Sequence, residues 1–115
     1  MSIEALWTVN FATAAGAGNG IVIFETGRIF GGDGHYFWVG DYDVQNGRIM
    51  ANLNVSNYSG MPYSVFGQMM NFRLKLEALL PAVTTSGVTV EARGYVDGNP
   101  NQMIVMILTY RSPLP

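Results

Sequence analysis

The sequence predicts an all-β fold in which about eight short antiparallel strands close into an up-and-down barrel, with at most one short helical turn. Three alternating apolar runs lie between Gly20 and Tyr58, separated by residues that favour tight turns. Further runs with a period of two follow from Phe72 to the end of the chain. Because the strands follow one another through short turns, closure into a barrel is the arrangement that leaves no sheet edge exposed.

The length of 115 residues predicts one domain, residues 1–115. Hydrophobic residues make up 49% of the chain, which is enough for a core. Charged residues make up only 12%, about half of the usual share. Either Asn, Ser, Thr, Gln and Gly cover the surface, or a partner protein covers part of it.

The first half of the chain supplies the clearest strands. Residues 5–12 form the first, and the small residues 13–20 are predicted to be a flexible loop. Asn46 and Gly47 are the strongest hairpin signal, because a type I′ turn needs positive φ at both positions. The other predicted strands of this half are residues 21–25, 28–31, 35–42 and 48–58.

The second half contains one ambiguous segment, residues 64–70. Phe66, Met69 and Met70 have helical spacing there, which allows one helical turn. The remaining strands begin at Phe72 and span residues 88–96 and 103–111. They are separated by a loop at residues 81–87 and a turn at residues 97–101.

The last strand is apolar on both faces. Ile104, Met106, Leu108 and Tyr110 form one face, and Met103, Val105 and Ile107 form the other. A barrel strand that faces water is expected to be polar outside, so the second face indicates a cover. The pattern favours a homodimer through this strand; the alternative is cover by residues 81–86 or by the tail.

Charge argues against direct binding to nucleic acid, because the five arginines are scattered, Lys75 is the one lysine and the net charge is −2. The chain has no cysteine for disulfides or thiolate chemistry. The start lacks the basic region of a signal peptide, since the first basic residue is Arg28. The longest apolar run, residues 103–108, is too short for a membrane helix, and a cytoplasmic location is expected.

No constellation of residues predicts catalysis, so the chain is expected to be no enzyme. Asp33 and His35 are too few ligands for a usual metal site. Asp41 and Asp43 resemble solvated residues at a strand end more than an acid–base pair. The run Gly16, Gly18 and Gly20 lacks the lysine and the helix of a phosphate loop. No catalytic residue, metal or cofactor is therefore predicted.

Aromatic residues and methionines are candidates for lining an apolar cavity. A barrel of about eight strands holds either packed side chains or one small ligand, and in a short chain packing is favoured. Methionine is an adaptable lining residue. The predicted cavity residues are Trp38, Met50, Met69, Met70 and Met106.

The order and spacing of several short motifs resemble the GrlR family over most of the chain. They are Leu6-Trp7-Thr8-Val9, Gly20-Ile21, Gly27-Arg28-Ile29, Gly31-Gly32-Asp33, Tyr36-Phe37-Trp38, Gly40-Asp41-Tyr42, Ser64-Val65-Phe66-Gly67, and then Phe72 and Leu74. Characterised members are negative regulators of type III secretion in enteric bacteria. The resemblance implies a calycin-type, lipocalin-like barrel, in which an early tryptophan packs on a late arginine, here Trp7 and Arg111.

The resemblance further implies a dimer that binds and sequesters a transcriptional activator. In the family, the region that matches residues 41–48 carries an acidic run used for partner binding; here Asp41 and Asp43 are its only acidic residues. The expected partner site is therefore Asp41 and Asp43, with Asp33 nearby at the same end. The alternative function is a calycin-like binder of a small apolar ligand inside the barrel.

Overall fold

The structure, a computed structural model, describes residues 3–115; Met1 and Ser2 of the predicted domain lie outside the described residues. It is all-β, and the eight strands predicted from the sequence are confirmed. They are β1 (Ala5–Thr13), β2 (Gly16–Glu25), β3 (Arg28–Gly32), β4 (Tyr36–Gln45), β5 (Arg48–Asn57), β6 (Asn71–Leu79), β7 (Thr89–Val96) and β8 (Asn99–Ser112).

The strands form a closed antiparallel up-and-down barrel in sequence order, from β1 to β8. β1 closes it by pairing with β8, with Val9 opposite Leu108 and Trp7 opposite Tyr110. Closure leaves no free sheet edge. Within residues 3–115 there is no helix long and apolar enough to cross a membrane.

The side chains alternate between the interior and the outside of the barrel, as the period of two predicts. On β5, Ile49, Ala51, Leu53 and Val55 are buried, whereas the residues between them are exposed or, near its end, half-buried. No polar or charged residue is buried in residues 3–115, so the interior consists mainly of packed apolar side chains.

Two hairpin turns lie at the same end of the barrel and have the same backbone geometry. Asn46 and Gly47 have φ of 54° and 74°, and Thr26 and Gly27 have φ of 50° and 79°. Positive φ at both central residues is the type I′ pattern, whose twist matches that of the flanking strands. The hairpins predicted at these positions are therefore confirmed.

The prediction of a flexible loop at residues 13–20 is wrong. β2 begins at Gly16 and pairs with β1 along its whole length, from Ala5 opposite Phe24 to Thr13 opposite Gly16. The glycines hide the alternation because they occupy the inward positions of β2. A Cβ on Gly18 would lie 2.7 Å from the Phe11 ring, and one on Gly20 would lie 2.8 Å from the Trp38 ring. These glycines are where two inward aromatic rings find space.

The segment of residues 64–70 contains no helical turn. Ser64 and Gly67 instead form an isolated bridge, with both backbone N–H groups donating across it over 3.1 Å, and Gly67 has φ of 94°. Two strands are also longer than predicted: β4 continues to Gln45 and β8 begins at Asn99. Helical spacing of three apolar residues was a weak signal in a segment with a glycine at its centre.

Candidate functional site

One end of the barrel contains an open apolar cavity of about 260 Å³. We call this end the mouth; it carries the β1–β2, β3–β4 and β7–β8 turns and the long β5–β6 loop. The cavity continues from the mouth into the barrel between the inward faces of the strands. Its wall is mainly aliphatic and aromatic: Val9, Phe11, Val22, Trp38, Leu53, Val55, Phe72, Leu74, Ile104 and Met106.

The opposite end of the barrel is packed. Trp7 makes edge-to-face contacts with Phe24 and Tyr110, at centroid distances of 6.3 and 5.4 Å, and Phe24 makes another with Tyr42 at 5.3 Å. Trp7 Nε1 donates to the Ile3 carbonyl over 3.0 Å, which holds the chain before β1 across this end. The remaining void there is about 40 Å³. The interior is thus half packed and half open.

Arg111 does not take part in this packing. It lies on the outside and its Nε donates to Thr8 Oγ1 over 2.9 Å. The contact between Trp7 and Arg111 that the resemblance implies is therefore not formed; Tyr110, the inward neighbour on β8, packs on Trp7 instead. The alternation of β8 explains this, because successive residues face opposite sides of the sheet.

Two aromatic rings form one part of the cavity wall. Phe11 and Trp38 meet edge to face, with centroids 6.2 Å apart and planes at 90°. Trp38 is 7% exposed, and its Nε1 is buried without a hydrogen-bond partner. That nitrogen lies against Gly31, where a Cβ would be 2.8 Å away. Trp38 therefore presents the apolar part of its ring to the cavity.

Polar groups are confined to the mouth. The Asp33 carboxylate accepts from the backbone N–H groups of His35 and Tyr36, at 2.9 and 2.8 Å, and so fixes the β3–β4 turn. His35 Nδ1 lies 2.8 Å from Ser59 Oγ, and its ring meets Tyr63 edge to face at 5.5 Å. The mouth therefore combines apolar surface with hydrogen-bonding groups.

The β5–β6 connection, residues 58–70, forms one side of the mouth, and we call it the mouth loop. Its tight turn at Ser64 and Gly67 carries Val65 and Phe66 at the tip, and both line the cavity. Phe66 packs edge to face on Phe72 at 5.4 Å, and the Val65 carbonyl accepts from Thr13 Oγ1. The loop is thus held both to β6 and to the β1–β2 turn.

Of the five predicted cavity residues, Trp38 and Met106 line the cavity. The prediction is wrong for Met50 and Met70, whose side chains are 44% and 39% exposed. Met50 occupies an outward position on β5, between the inward Ile49 and Ala51. Met69 packs partly against the core but does not line the cavity, and its carbonyl accepts from Tyr36 OH over 2.7 Å.

Several lining residues were not singled out from the sequence. Phe11 follows from the alternation of β1, which places it inward with Trp7 and Val9. Val65 and Phe66 lie on a loop, where no periodicity reports the direction of a side chain.

The three acidic residues expected to form a partner site do not lie together. Asp33 is in the turn at the mouth, whereas Asp41 and Asp43 are exposed on the outer face of β4. Asp41 is five residues beyond Tyr36, which is roughly 17 Å along the strand. The expectation that all three lie at one end is therefore wrong, because Asp33 precedes β4 and the other two lie towards the far end of that strand.

Asp41 and Asp43 nevertheless share an outer face near the β4–β5 turn. Asp43 accepts from the Val44 N–H at 3.0 Å and from Gln45 Nε2 at 2.7 Å. Asp41 lies 3.5 Å from Asn52 Nδ2 and opposite Arg28 in the register of β3 and β4. Both carboxylates are exposed.

A second feature is a wide outer surface without charge, which we call the uncharged face. It consists of the outward residues of β8, β1, β2, β3 and the first half of β4 that lie between the mouth and the outward charges Arg111, Glu25 and Arg28 at the packed end. Residues that are paired between neighbouring strands form rows across this face. One row contains Val105, Ala12 and Ala17, and the next contains Ile107, Asn10 and Asn19. A third row contains Thr109, Thr8, Ile21, Gly32 and Phe37. A further row contains Leu6, Ile23, Phe30 and Val39.

Large apolar side chains on the uncharged face are open to solvent. Ile21 is 46% exposed, Phe37 43% and Val39 47%. The three residues expected to form a dimer interface also lie here: Met103 is 66% exposed, and Val105 and Ile107 are each 37% exposed. Neither the loop after β6 nor the C-terminal tail covers them, so the alternative of an internal cover is not realised in residues 3–115.

The other side of the barrel has an ordinary charged surface. Arg48 and Glu77 pair across β5 and β6 at 2.6 Å, and Arg93 pairs with Glu91 on β7 at 2.8 Å. Arg73 Nε donates to Asn54 over 2.9 Å. Outward charges therefore lie along β4 to β7 and at the packed end of β2, β3 and β8, and they surround the uncharged face.

In the described part of the chain, no group of three or more His, Asp or Glu side chains could hold a metal ion. No known protein family matches this chain, and a search of curated proteins finds no similar sequence.

Proposed function

We propose that this chain is a non-enzymatic interaction protein that binds other proteins through its uncharged face. The observation that carries the proposal is the segregation of charge on the outside of the barrel. Over four consecutive rows of five neighbouring strands the outward residues carry no charge, with Arg111 at their edge, and several of them are large and exposed. Monomeric proteins rarely expose contiguous apolar patches of more than a few hundred Å², and larger ones mark interfaces.

The face is large enough to form the centre of an interface, whose standard size is about 800 Å² per partner. Five strands at about 4.8 Å spacing span roughly 20 Å, and a row of six residues at about 3.3 Å each has a similar length. The face therefore has an area on the order of 400 Å² when it is treated as a flat surface without projecting side chains. Met103, Val105 and Ile107 stand at its β8 side.

We propose a second copy of the chain as the first occupant. A two-fold dimer brings the same patch together with itself, so a charged patch would repel its copy, whereas an uncharged one does not. The net charge of −2 favours contact through a surface that carries none of that charge. The resemblance to the GrlR family supports the same arrangement.

Two Met→Arg substitutions test the dimer. Met103→Arg places a charge on the uncharged face, and Met50→Arg places the same charge on the opposite side of the barrel, where Met50 is 44% exposed. Light scattering after size-exclusion chromatography is expected to give a dimer for the wild type and Met50→Arg, and a shift to monomer for Met103→Arg. A monomeric wild type, or equal behaviour of the two variants, would contradict the proposal.

The resemblance also supports a transcriptional activator as the regulated partner, with Asp41 and Asp43 at its binding site and a cytoplasmic place of action. The two carboxylates are exposed at the border of the uncharged face, beside Val39 on β4. A partner that contacts both surfaces would meet apolar and acidic groups together. Sequestration requires no catalytic group on this chain.

A reporter gene driven by a type III secretion activator tests this part. Coexpression of the wild-type chain is expected to lower reporter output, and the double variant Asp41→Lys, Asp43→Lys is expected to restore it. Glu77→Lys is the control, because it reverses an exposed charge on β6, on the other side of the barrel. If the wild type leaves output unchanged, or both variants restore it equally, the activator proposal fails.

A further inference from the structure

We infer that the cavity at the mouth binds a small, uncharged, mainly apolar molecule of one or two rings, with its polar end at the mouth. This is a second binding activity, independent of the uncharged face. The inference rests on the volume of the cavity, the chemistry of its wall and the position of the few polar groups around it.

The wall of the cavity disfavours a charged ligand. The residues of the wall are aliphatic or aromatic, and no polar or charged residue is buried within residues 3–115. Trp38 Nε1 is closed off against Gly31, so the wall offers no donor to a buried anion. Transfer of an ion into such surroundings without a partner is costly, so the buried part of the ligand is neutral.

The volume limits the size of the ligand. An apolar cavity of about 150 Å³ is known to hold benzene. The cavity here is about 260 Å³, which suits one or two fused rings rather than a long acyl chain. The packed cluster of Trp7, Phe24 and Tyr110 stops deeper entry, because only about 40 Å³ remains beyond the wall.

The edge-to-face pair of Phe11 and Trp38 favours a ring. Aromatic side chains prefer offset or edge contacts with another ring at centroid distances of about 4.5–7 Å. A flat ligand in the cavity contacts the rings of Phe11 and Trp38 on one side. On the other side it contacts the rings of Phe66 and Phe72. The aliphatic residues Val55 and Leu74 complete the space between them.

The mouth supplies the polar contacts. The opening is lined by polar residues, namely Asp33, His35, Tyr63, Ser64 and Asn19. A hydroxyl or amide at the outer end of the ligand meets groups that both donate and accept there. The Asp33 carboxylate stands at the opening, and an anionic end would meet it at close range.

The mouth loop closes one side of the cavity. Val65 and Phe66 reach the cavity from a turn, and Gly60 and Gly67 have φ of 82° and 94°. The loop spans thirteen residues between β5 and β6, a length at which connections in compact domains are commonly functional. Val65 and Phe66 therefore contact a ligand from the loop side of the opening.

The test is an NMR titration of the indole N–H signals with 1-naphthol. The described chain has one tryptophan in the cavity wall and one in the packed end, Trp38 and Trp7. We expect a saturable shift of the Trp38 signal and a far smaller one for Trp7. Naphthalene-1-sulfonate is the charged counterpart and is expected to bind at least tenfold more weakly, since it places an anion beside Asp33.

Three Val→Phe substitutions test the location. Val65→Phe on the mouth loop and Val55→Phe on the wall both fill the cavity, whereas Val83→Phe makes the same change at an exposed position in the loop after β6. The first two are expected to weaken 1-naphthol binding by roughly tenfold or more, which corresponds to about 1.4 kcal/mol, and the third to leave it unchanged. Val65→Phe keeps the test valid if Val55→Phe does not fold.

Three outcomes overturn the inference. One is the absence of a saturable Trp38 shift up to the solubility limit of 1-naphthol. Another is equal binding by Val65→Phe and Val83→Phe, which would place the probe elsewhere. The third is equal affinity for naphthol and the sulfonate, which would refute an uncharged ligand. A negative result in the 1-naphthol experiments would not contradict the proposed dimer, because light scattering tests a different surface.

Discussion

Trp38 Nε1 lies so close to Gly31 that a Cβ on residue 31 would be only 2.8 Å away. The same Cβ would lie 1.9 Å from the Ile21 carbonyl oxygen on the neighbouring strand. Gly31 therefore lets the tryptophan ring and the backbone of β2 approach each other, and this contact forms the wall of the cavity.

Gly31→Ala is expected to destabilise the protein by about 3 kcal/mol or to prevent folding, because backbone atoms cannot move away as a flexible side chain does. Gly34→Ala is the matched control, since a Cβ there meets no atom within 4 Å. It is expected to change stability by no more than about 0.5 kcal/mol. Urea denaturation measures both, and similar losses would contradict this account of Gly31.

The two tryptophans are expected to respond differently to replacement by phenylalanine. Trp7 Nε1 donates to the Ile3 carbonyl, whereas Trp38 Nε1 has no partner. Trp7→Phe therefore leaves a carbonyl unpaired, whereas Trp38→Phe removes a donor that was already unpaired. We expect Trp7→Phe to cost about 1 kcal/mol more than Trp38→Phe in denaturant unfolding. An equal or reversed order would show that the hydrogen bond of Trp7 is not important.

The two type I′ turns allow a reciprocal exchange. Thr26 and Asn46 occupy the same turn position with φ of 50° and 54°, and asparagine tolerates this conformation better than the β-branched threonine. Thr26→Asn is expected to raise the free energy of unfolding by about 0.5–1 kcal/mol, and Asn46→Thr to lower it by a similar amount. Thermal denaturation measures both changes. A loss of stability in Thr26→Asn would mean that the contact of Thr26 with Glu4 outweighs the backbone preference.

Tyr42 is expected to make stability depend on alkaline pH. Burial raises the pKa of its phenol above the usual value of 10.0, and the charge of Glu4 adds to this, while a backbone hydrogen bond from Gly27 opposes it. The folded state therefore holds the proton more tightly than the unfolded chain. The resulting stability is complete below about pH 10 and is lost as pH rises through the folded pKa.

Tyr42→Phe removes this titration. Its free energy of unfolding is expected to fall less than that of the wild type between neutral pH and the alkaline range, when each is compared with its own value at pH 7. Urea denaturation across that range measures the two slopes. Identical slopes would assign the alkaline loss of stability to other groups.

The fold was predictable because its signals are local. The clean alternation of β5 and the residues Asn46 and Gly47 identify a hairpin without reference to the rest of the chain. The first half of β2 was not predictable, because its inward positions are glycines and no side chain shows the period. Their role depends on Phe11 and Trp38, whose rings reach them from other strands.

The cavity is only partly predictable, because residue type and register disagree at some positions. Methionine is typical of an apolar interior, yet the period of β5 places Met50 with the outward Asn52 and Asn54. Trp38 and Met106 fit both criteria and do line the cavity. Whether the interior is open depends on how rings from several strands pack, which no local pattern reports.

The closure of β1 on β8 has a consequence for the folding pathway. Seven of the eight strand pairs join neighbours in sequence, whereas the hydrogen bond between Arg111 and Thr8 spans 103 residues. Contacts between such distant residues have the largest entropic cost of loop closure. The β1–β8 pairing, which is the seam of the barrel, is therefore expected to form after the transition state for folding and to open first during unfolding. An opened barrel exposes β8 as an edge that is apolar on both faces, a template for pairing with another chain. Contacts across this seam therefore protect the protein from aggregation as well as from unfolding.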